Sequence, residues 1–289
     1  MTRQANHATV ADDRRTDRQA TILGAWDCHA HLFGPYDQFP LAQARSYTPP
    51  EAVDTHYLAL LARLGLSHGV LVHPSAYGDD FRLLRHALAS HANLRGVIVA
   101  RQDTPLALAG LRDQGIRAAR YSHRSGAGAN FAGSASLDDL RAMAPRLADA
   151  GLHAELWTDC KVLPDMADDL RRLPVAVVID HMGGFDVHAG LNDPGFQTLL
   201  ALVGEGRTWV KMCAYRNLLS ASDVESGLAF HQALIAANPE RLLWGTDWPH
   251  LRVQPEPDTG DLLALFKRWT GNDGLVEKML VDNPAALYF

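Results

Sequence analysis

Short runs rich in valine, isoleucine and leucine recur along the chain at Ile22 to Asp27, His68 to His73, Arg95 to Ala100, Ile116 to Tyr121, Leu152 to Trp157, Val175 to Asp180, Thr208 to Cys213 and Arg241 to Thr246. Each has the length and apolar content of a strand buried on both faces. Between many of them, apolar residues recur at helical spacing, in Tyr57 to Leu64, Asp79 to Ser90, Pro105 to Gln114, Leu137 to Ala150 and Phe230 to Asn238. Strands alternating with helices predict parallel βαβ units. Eight such units predict an α/β fold closed as a (β/α)8 TIM barrel, with an open doubly wound sheet as the second choice.

The polar residues that matter fall where these runs end: His29 and His31, Ser75, Arg120, Trp157, His181, the segment to Arg216, and Asp247. In a barrel they would meet at the carboxyl-terminal face, where active sites are built. His29 and His31 are two residues apart, so on a strand they point to the same side; Cys28 between them is expected to face the other way. Thr48-Pro49-Pro50, Ser125 to Ser136 and Gln254 to Asp258 read as loops rather than a domain boundary. The Gly-rich stretch Ser125 to Asn130 lacks the strand-to-helix setting of a phosphate loop.

Composition narrows the picture further. A chain of 289 residues with 47% hydrophobic content can fill one large barrel, and no apolar run approaches the length of a membrane span. A formal charge of -6 disfavours nucleic acid or an anionic membrane as partner. Cys28, Cys160 and Cys213 are odd in number and scattered, which suggests neither disulfides nor a zinc knuckle and fits a reducing cytoplasm. Residues 1–20 are polar, without the apolar core of a secretory signal, and are expected to be a disordered arm ahead of a single domain over 21–289. Nothing in the sequence speaks to the oligomeric state.

Four motifs, Asp27-Cys28-His29-Ala30-His31, His73-Pro74-Ser75, Ile179-Asp180-His181-Met182-Gly183 and Gly245-Thr246-Asp247-Trp248-Pro249-His250, occur in this order. Together they resemble the amidohydrolase superfamily, in the branch of the 2-pyrone-4,6-dicarboxylate lactonases, from about Ile22 to Phe289. The resemblance implies a (β/α)8 barrel that opens or forms lactones of sugar acids or of aromatic breakdown products. Carried over residue by residue, it implies a site of His29, His31, Tyr47, Ser75, Arg120, Arg124, His181, Arg216 and Asp247, with Trp157 where that lactonase has a tyrosine. It also implies that no metal is required, although other superfamily members hold divalent ions with the same pair of histidines.

Opening a lactone needs a base for water, donors to polarise the carbonyl, and groups that hold the substrate against both. Asp247 is the candidate base, although an aspartate there could equally cap a helix. His29, His31 and His181 are expected either to donate hydrogen bonds to the carbonyl oxygen or, with Asp247, to hold one zinc or manganese ion. Tyr47, Ser75, Arg120, Arg124, Trp157 and Arg216 are expected to bind a carboxylated lactone, since guanidinium groups grip carboxylates in a two-pronged geometry. His73, His153 and His250 are expected near the same face as supports. Arg117 reads as a surface salt-bridge partner, and Lys211 as a lysine buried against an acid. A sugar-acid lactonase or aldonolactone isomerase, a metal-dependent decarboxylase and a silent metabolite-binding barrel are the other readings.

Overall fold

The structure is a computed structural model and describes residues 23–104, 107–126, 131–218 and 220–289. The expected N-terminal arm, and Ile22 with it, lie outside the described residues.

Eight parallel strands run in sequence order around one sheet. They are β1 (Trp26–Ala30), β2 (His68–Val72), β3 (Leu94–Val99), β4 (Ile116–His123), β5 (His153–Thr158), β6 (Val177–Ile179), β7 (Thr208–Lys211) and β8 (Leu242–Leu243). The last strand returns to the first: the Cys28 amide donates to the Trp244 carbonyl at 2.9 Å, and the Asp247 amide to the His29 carbonyl at 2.7 Å. These bonds close the ring as a (β/α)8 barrel.

Apolar residues on both faces of each strand divide the core in two. Val70, Val72, Val97, Ala118, Val178 and Leu243 form one cluster with Trp26 and Cys28, which fills the barrel lumen. Their neighbours Leu71, Ile98, Ala119, Leu156 and Ile179 face outward into a larger cluster shared with the helices. Those helices are α1 (Asp54–Leu64), α2 (Arg82–Ser90), α3 (Leu137–Asp149), α4 (Leu163–Arg172), α5 (Pro194–Gly204), α6 (Ala221–Ala237) and α7 (Thr259–Thr270), followed by the short α8 (Asp273–Glu277) and α9 (Asn283–Tyr288). Tyr288 of α9 plugs the lumen from below, its hydroxyl donating to Glu155 Oε1 at 2.8 Å.

Two expectations fail at this level. No helix forms over the described part of Pro105 to Gln114, where residues 109–115 make turns. Gly110 and Gly115 both adopt left-handed backbone there, and Leu108 and Leu111 are buried from a turn instead of a helical face. Cys28 does not face away from the histidines. Asp27 pairs with Gly69 but Ala30 with Leu71, so β1 carries one extra residue between them. That bulge turns Cys28 and His29 both toward the lumen, while Asp27 points outward. The outward Asp27 accepts from the Tyr57 hydroxyl at 3.0 Å and from the Thr246 amide and hydroxyl at 2.8 and 2.7 Å, riveting β1 to α1 and to the segment after β8.

Candidate active site

A cavity of about 470 Å³ opens at the carboxyl-terminal ends of the strands. His31, Tyr47, Ser75, Arg120, Arg124, Trp157, His181 and Arg216 all line it, so the residues expected to bind substrate do converge. His29 and Asp247 lie just beneath, both buried. Gly245 lets the β8 segment pass this close, because a side chain there would come within 2.8 Å of His29 Cβ.

Asp247 is the hub of this floor. Its Oδ1 lies 3.4 Å from His31 Nε2 and 3.7 Å from His29 Nε2, and its Oδ2 lies 3.3 Å from His181 Nε2. Oδ2 also accepts from the Tyr215 hydroxyl at 2.8 Å and from Arg216 Nε. Burial alone would raise its pKa, but the Arg216 charge and then His181 hold the carboxyl well below its ordinary range. Asp247 is therefore ionised at neutral pH. Asp247 and His181 both have positive φ, 56° and 50°, a backbone conformation that costs free energy and clusters at functional sites.

Beneath the histidines sits a second layer of charge. Lys211 Nζ donates to Glu155 Oε2 at 2.6 Å and lies 3.3 Å from Asp180 Oδ1. Arg120 donates to Asp180 Oδ2 from Nε and Nη2, both at 2.8 Å. All but Arg120 are fully buried. Burial opposes each charge, yet Lys211 draws Glu155 down to about 2 and Asp180 well below its usual range, while those two carboxylates raise Lys211. Burial and the Lys211 charge push His29 down to about 3, so its imidazole is neutral. Burial likewise lowers His181.

Arg216 was expected to bind substrate, but its Nε is engaged by Asp247 and its Nη1 donates to the Leu251 carbonyl at 3.2 Å. Arg124 is the least committed arginine. Its nearest carboxylate oxygen, on Asp159, is 3.8 Å away, its Nε has no hydrogen-bond partner, and its guanidinium lies 4.6 Å from the Trp157 ring. Tyr47 and Ser75 face the cavity together.

The supporting histidines separate. His73 Nε2 bonds the Gly78 carbonyl at 2.8 Å, and His250 Nε2 bonds Thr259 Oγ1 at 2.9 Å, near the site as expected. His153 is instead the first residue of β5, at the far end of the strand, packed on the Tyr288 ring at 5.3 Å. Arg117 is not on the surface either: it is buried and donates only to the carbonyls of Tyr288, Arg112 and Ile116. Sequence reasoning missed Tyr215, although it adjoins Arg216, and Arg252. The latter lines the cavity through a bond from Nη2 to the Ser46 carbonyl at 3.0 Å and a 4.8 Å contact with the Tyr47 ring.

The donor set fits a divalent ion by type and spacing. His29, His181 and Asp247 offer ligand atoms within 4.8 Å of one another, and both ring nitrogens of His181 are buried without a hydrogen-bond partner. A second group with the same spacing, His29, Glu155 and Asp180, surrounds Lys211.

Residues 26–289 match the family model described as amidohydrolase. This chain belongs to the amidohydrolase family. It is 35% identical over 271 residues to a 4-sulfomuconolactone hydrolase of Rhizobium radiobacter, covering 92% of this chain and 90% of that one. It is 33% identical over 279 residues to a 2-pyrone-4,6-dicarboxylate hydrolase of Comamonas testosteroni, again covering 92% and 90%. A crystal structure from Pseudomonas putida, described as a candidate 2-pyrone-4,6-dicarboxylic acid hydrolase, superposes with a TM-score of 0.77 at 34% identity, over 92% of this chain and 97% of that one. No helix among the described residues is long and apolar enough to cross a membrane.

Proposed function

We propose that this amidohydrolase opens the ring of an anionic lactone, of the kind represented by 2-pyrone-4,6-dicarboxylate and 4-sulfomuconolactone. The observation that carries the reading is the meeting of an ionised carboxylate, three imidazoles and several arginines at one cavity. The relatives named for lactone hydrolysis favour this over isomerase, decarboxylase or silent-barrel chemistry.

In the reaction, the arginines and Tyr47 and Ser75 hold the anionic groups of the ring so that its carbonyl lies over the histidines. Water adds to the carbonyl carbon, a bond forms from its oxygen, and that oxygen becomes strongly acidic as it does so. Asp247, although a weak base, is then basic enough to take the proton. Donors among the histidines stabilise the oxyanion, the ring C–O bond breaks, and Asp247 returns the proton to the departing oxygen. The products balance as lactone plus water giving a ring-opened acid. If a divalent ion is bound, His29, His181 and Asp247 would hold it and it would polarise the same carbonyl.

The test follows ultraviolet absorbance of 2-pyrone-4,6-dicarboxylate with metal-stripped protein, beside 4-sulfomuconolactone and an Asp247→Asn control. Ring opening of either compound by the unmutated protein alone supports the reading. Failure on both, with and without added zinc or manganese, would overturn it.

A further inference from the structure

The proton positions on the two paired histidines follow from what lies at either end of the pair. At one end, His31 Nδ1 bonds the Val72 carbonyl at 2.8 Å. A carbonyl only accepts, so this nitrogen carries hydrogen. At the other end, Lys211 Nζ bonds His29 Nδ1 at 3.1 Å. An ammonium only donates, so His29 Nδ1 is bare and the hydrogen sits on Nε2. Between them, His29 Nε2 and His31 Nε2 bond at 3.3 Å, which requires one donor and one acceptor. With hydrogen on His29 Nε2, His31 Nε2 is the acceptor, which agrees with hydrogen on His31 Nδ1.

We propose that Lys211 is a positioning residue that fixes His29 as an Nε2–H donor, creating a one-way chain of hydrogen bonds from Lys211 through His29 and His31 to the Val72 carbonyl. Lys211 itself is held by Glu155 at 2.6 Å. Its ammonium lies among His29, Glu155 and Asp180, a group spaced to hold a cation, and so acts as a built-in cation at that place. Asp180 Oδ1, 3.3 Å from His29 Nδ1, lies at the same distance from Lys211 Nζ, so its charge is met by the ammonium.

One consequence concerns metal. A ligating histidine normally offers one nitrogen to the ion while its other N–H donates to a carboxylate or carbonyl. His31 obeys this pattern through Val72; His29 reverses it, with an ammonium behind the ring and hydrogen on the nitrogen that faces Asp247. Type and spacing suit His29 for chelation, but its hydrogen-bond partners make it a donor to His31. This inference concerns proton positions alone and does not depend on which lactone is opened.

The test is a long-range proton–nitrogen NMR spectrum of metal-stripped protein labelled with 15N-histidine, assigned with His29→Asn and His31→Asn. The expected result is His29 protonated on Nε2 and His31 on Nδ1; His29 protonated on Nδ1 would overturn the proposal in the unmutated protein. Lys211→Met should release His29 to the other tautomer or to exchange between the two, and should tighten zinc binding about tenfold or more by calorimetry. Because that variant leaves two acids buried beside a neutral side chain, Lys211→Met/Glu155→Gln serves as the charge-matched form. A His29 tautomer and zinc affinity unchanged in whichever variant folds would show that Lys211 does not set the proton.

Discussion

Arginine 124 and its neighbours at the cavity differ in what they already hold, and that difference sets what each can do for a substrate. Arg120 is bound to Asp180 through two nitrogens and Arg216 to Asp247, whereas Arg124 rests on Trp157 with its nearest acid at 3.8 Å. A charge-assisted hydrogen bond from an uncommitted guanidinium is worth about 1.5–3 kcal/mol. Arg124→Met should therefore raise KM for an anionic lactone by roughly 10- to 100-fold with kcat nearly unchanged. Arg120→Met should lower kcat as well, because it strips a partner from the buried Asp180 beneath His29. Steady-state kinetics separates the two, and a KM for Arg124→Met equal to that of the unmutated protein would remove it from the binding site. Asp247→Asn should lower kcat about 10²- to 10⁴-fold while product affinity, read by calorimetry, stays within a few-fold. Asp247, the histidines and Arg120 stood out in the sequence because each ends an apolar run, and strand ends in a barrel share one face, whereas Arg124 came only from the family resemblance. Their mutual pairing could not. That Arg216 would bind Asp247, or that Lys211 would back His29, depends on side chains brought together from β1, β5, β6, β7 and the loops beyond them. The inward turn of Cys28 was hidden for a related reason, since one inserted residue leaves the spacing of the motif intact.

The segment after β4 shows how a loop of the cavity wall is seated. Gly133 lines the cavity with φ of +83°, and a Cβ there would meet the Ser75 carbonyl oxygen at 2.3 Å. Any side chain would push this loop away from the turn that bears Ser75 and displace Phe131, which packs edge-on to Trp157 at 5.6 Å. Gly133→Ala should raise KM by about tenfold through misplacement of the anion-binding wall, while the melting temperature falls by only a few degrees because the barrel core is untouched. A melting curve lowered as far as by a core cavity, with KM unchanged, would contradict this. Strands were legible because parallel strands buried on both faces leave continuous apolar runs, and β2, β4 and β7 begin where those runs begin. Helices were less so. The sequence reading began α6 at Phe230, but a capping box on Ser220 and Asp223 starts it at Ala221. Helices α4, α5 and α7 went unread; α4 in particular is mostly charged outside its buried Leu163, Met166, Ala167 and Leu170. In the β3–β4 connection the periodicity was present, but two left-handed glycines broke it into turns.

At the level of the whole molecule, the histidines buried in the fold make stability depend on pH. Burial lowers His29 to about 3 and His73, His231 and His250 to about 4, and it lowers His153 and His181 as well. In the unfolded chain each would titrate near 6.5. Between those values the unfolded state binds more protons than the folded one, so stability is full above about pH 6.5 and falls as pH drops toward 4. Asp27 opposes this: burial raises it to about 6, so the folded state binds its proton first and gains from acid between about pH 6 and 4. One carboxyl does not offset several imidazoles. Each uncompensated proton changes stability by about 1.4 kcal/mol per pH unit, and the net of these groups is a few protons. The melting temperature should thus fall by on the order of 10 °C between pH 6 and pH 5 while staying level from pH 7 to 8. Glu155, drawn to about 2, and Asp180 and Asp247 keep their charges through that window in the folded state, so the stability they contribute is lost mainly below about pH 4.5, where the unfolded carboxyls take up protons, and adds little to this reading. His231 gives the control: it is buried away from the site and bonds Thr270 Oγ1 at 3.0 Å, so His231→Gln should remove about one proton from the slope without altering lactone turnover. A melting temperature that stays level from pH 7 to 5 would mean that these histidines take up protons in the folded state, which their enclosed positions oppose.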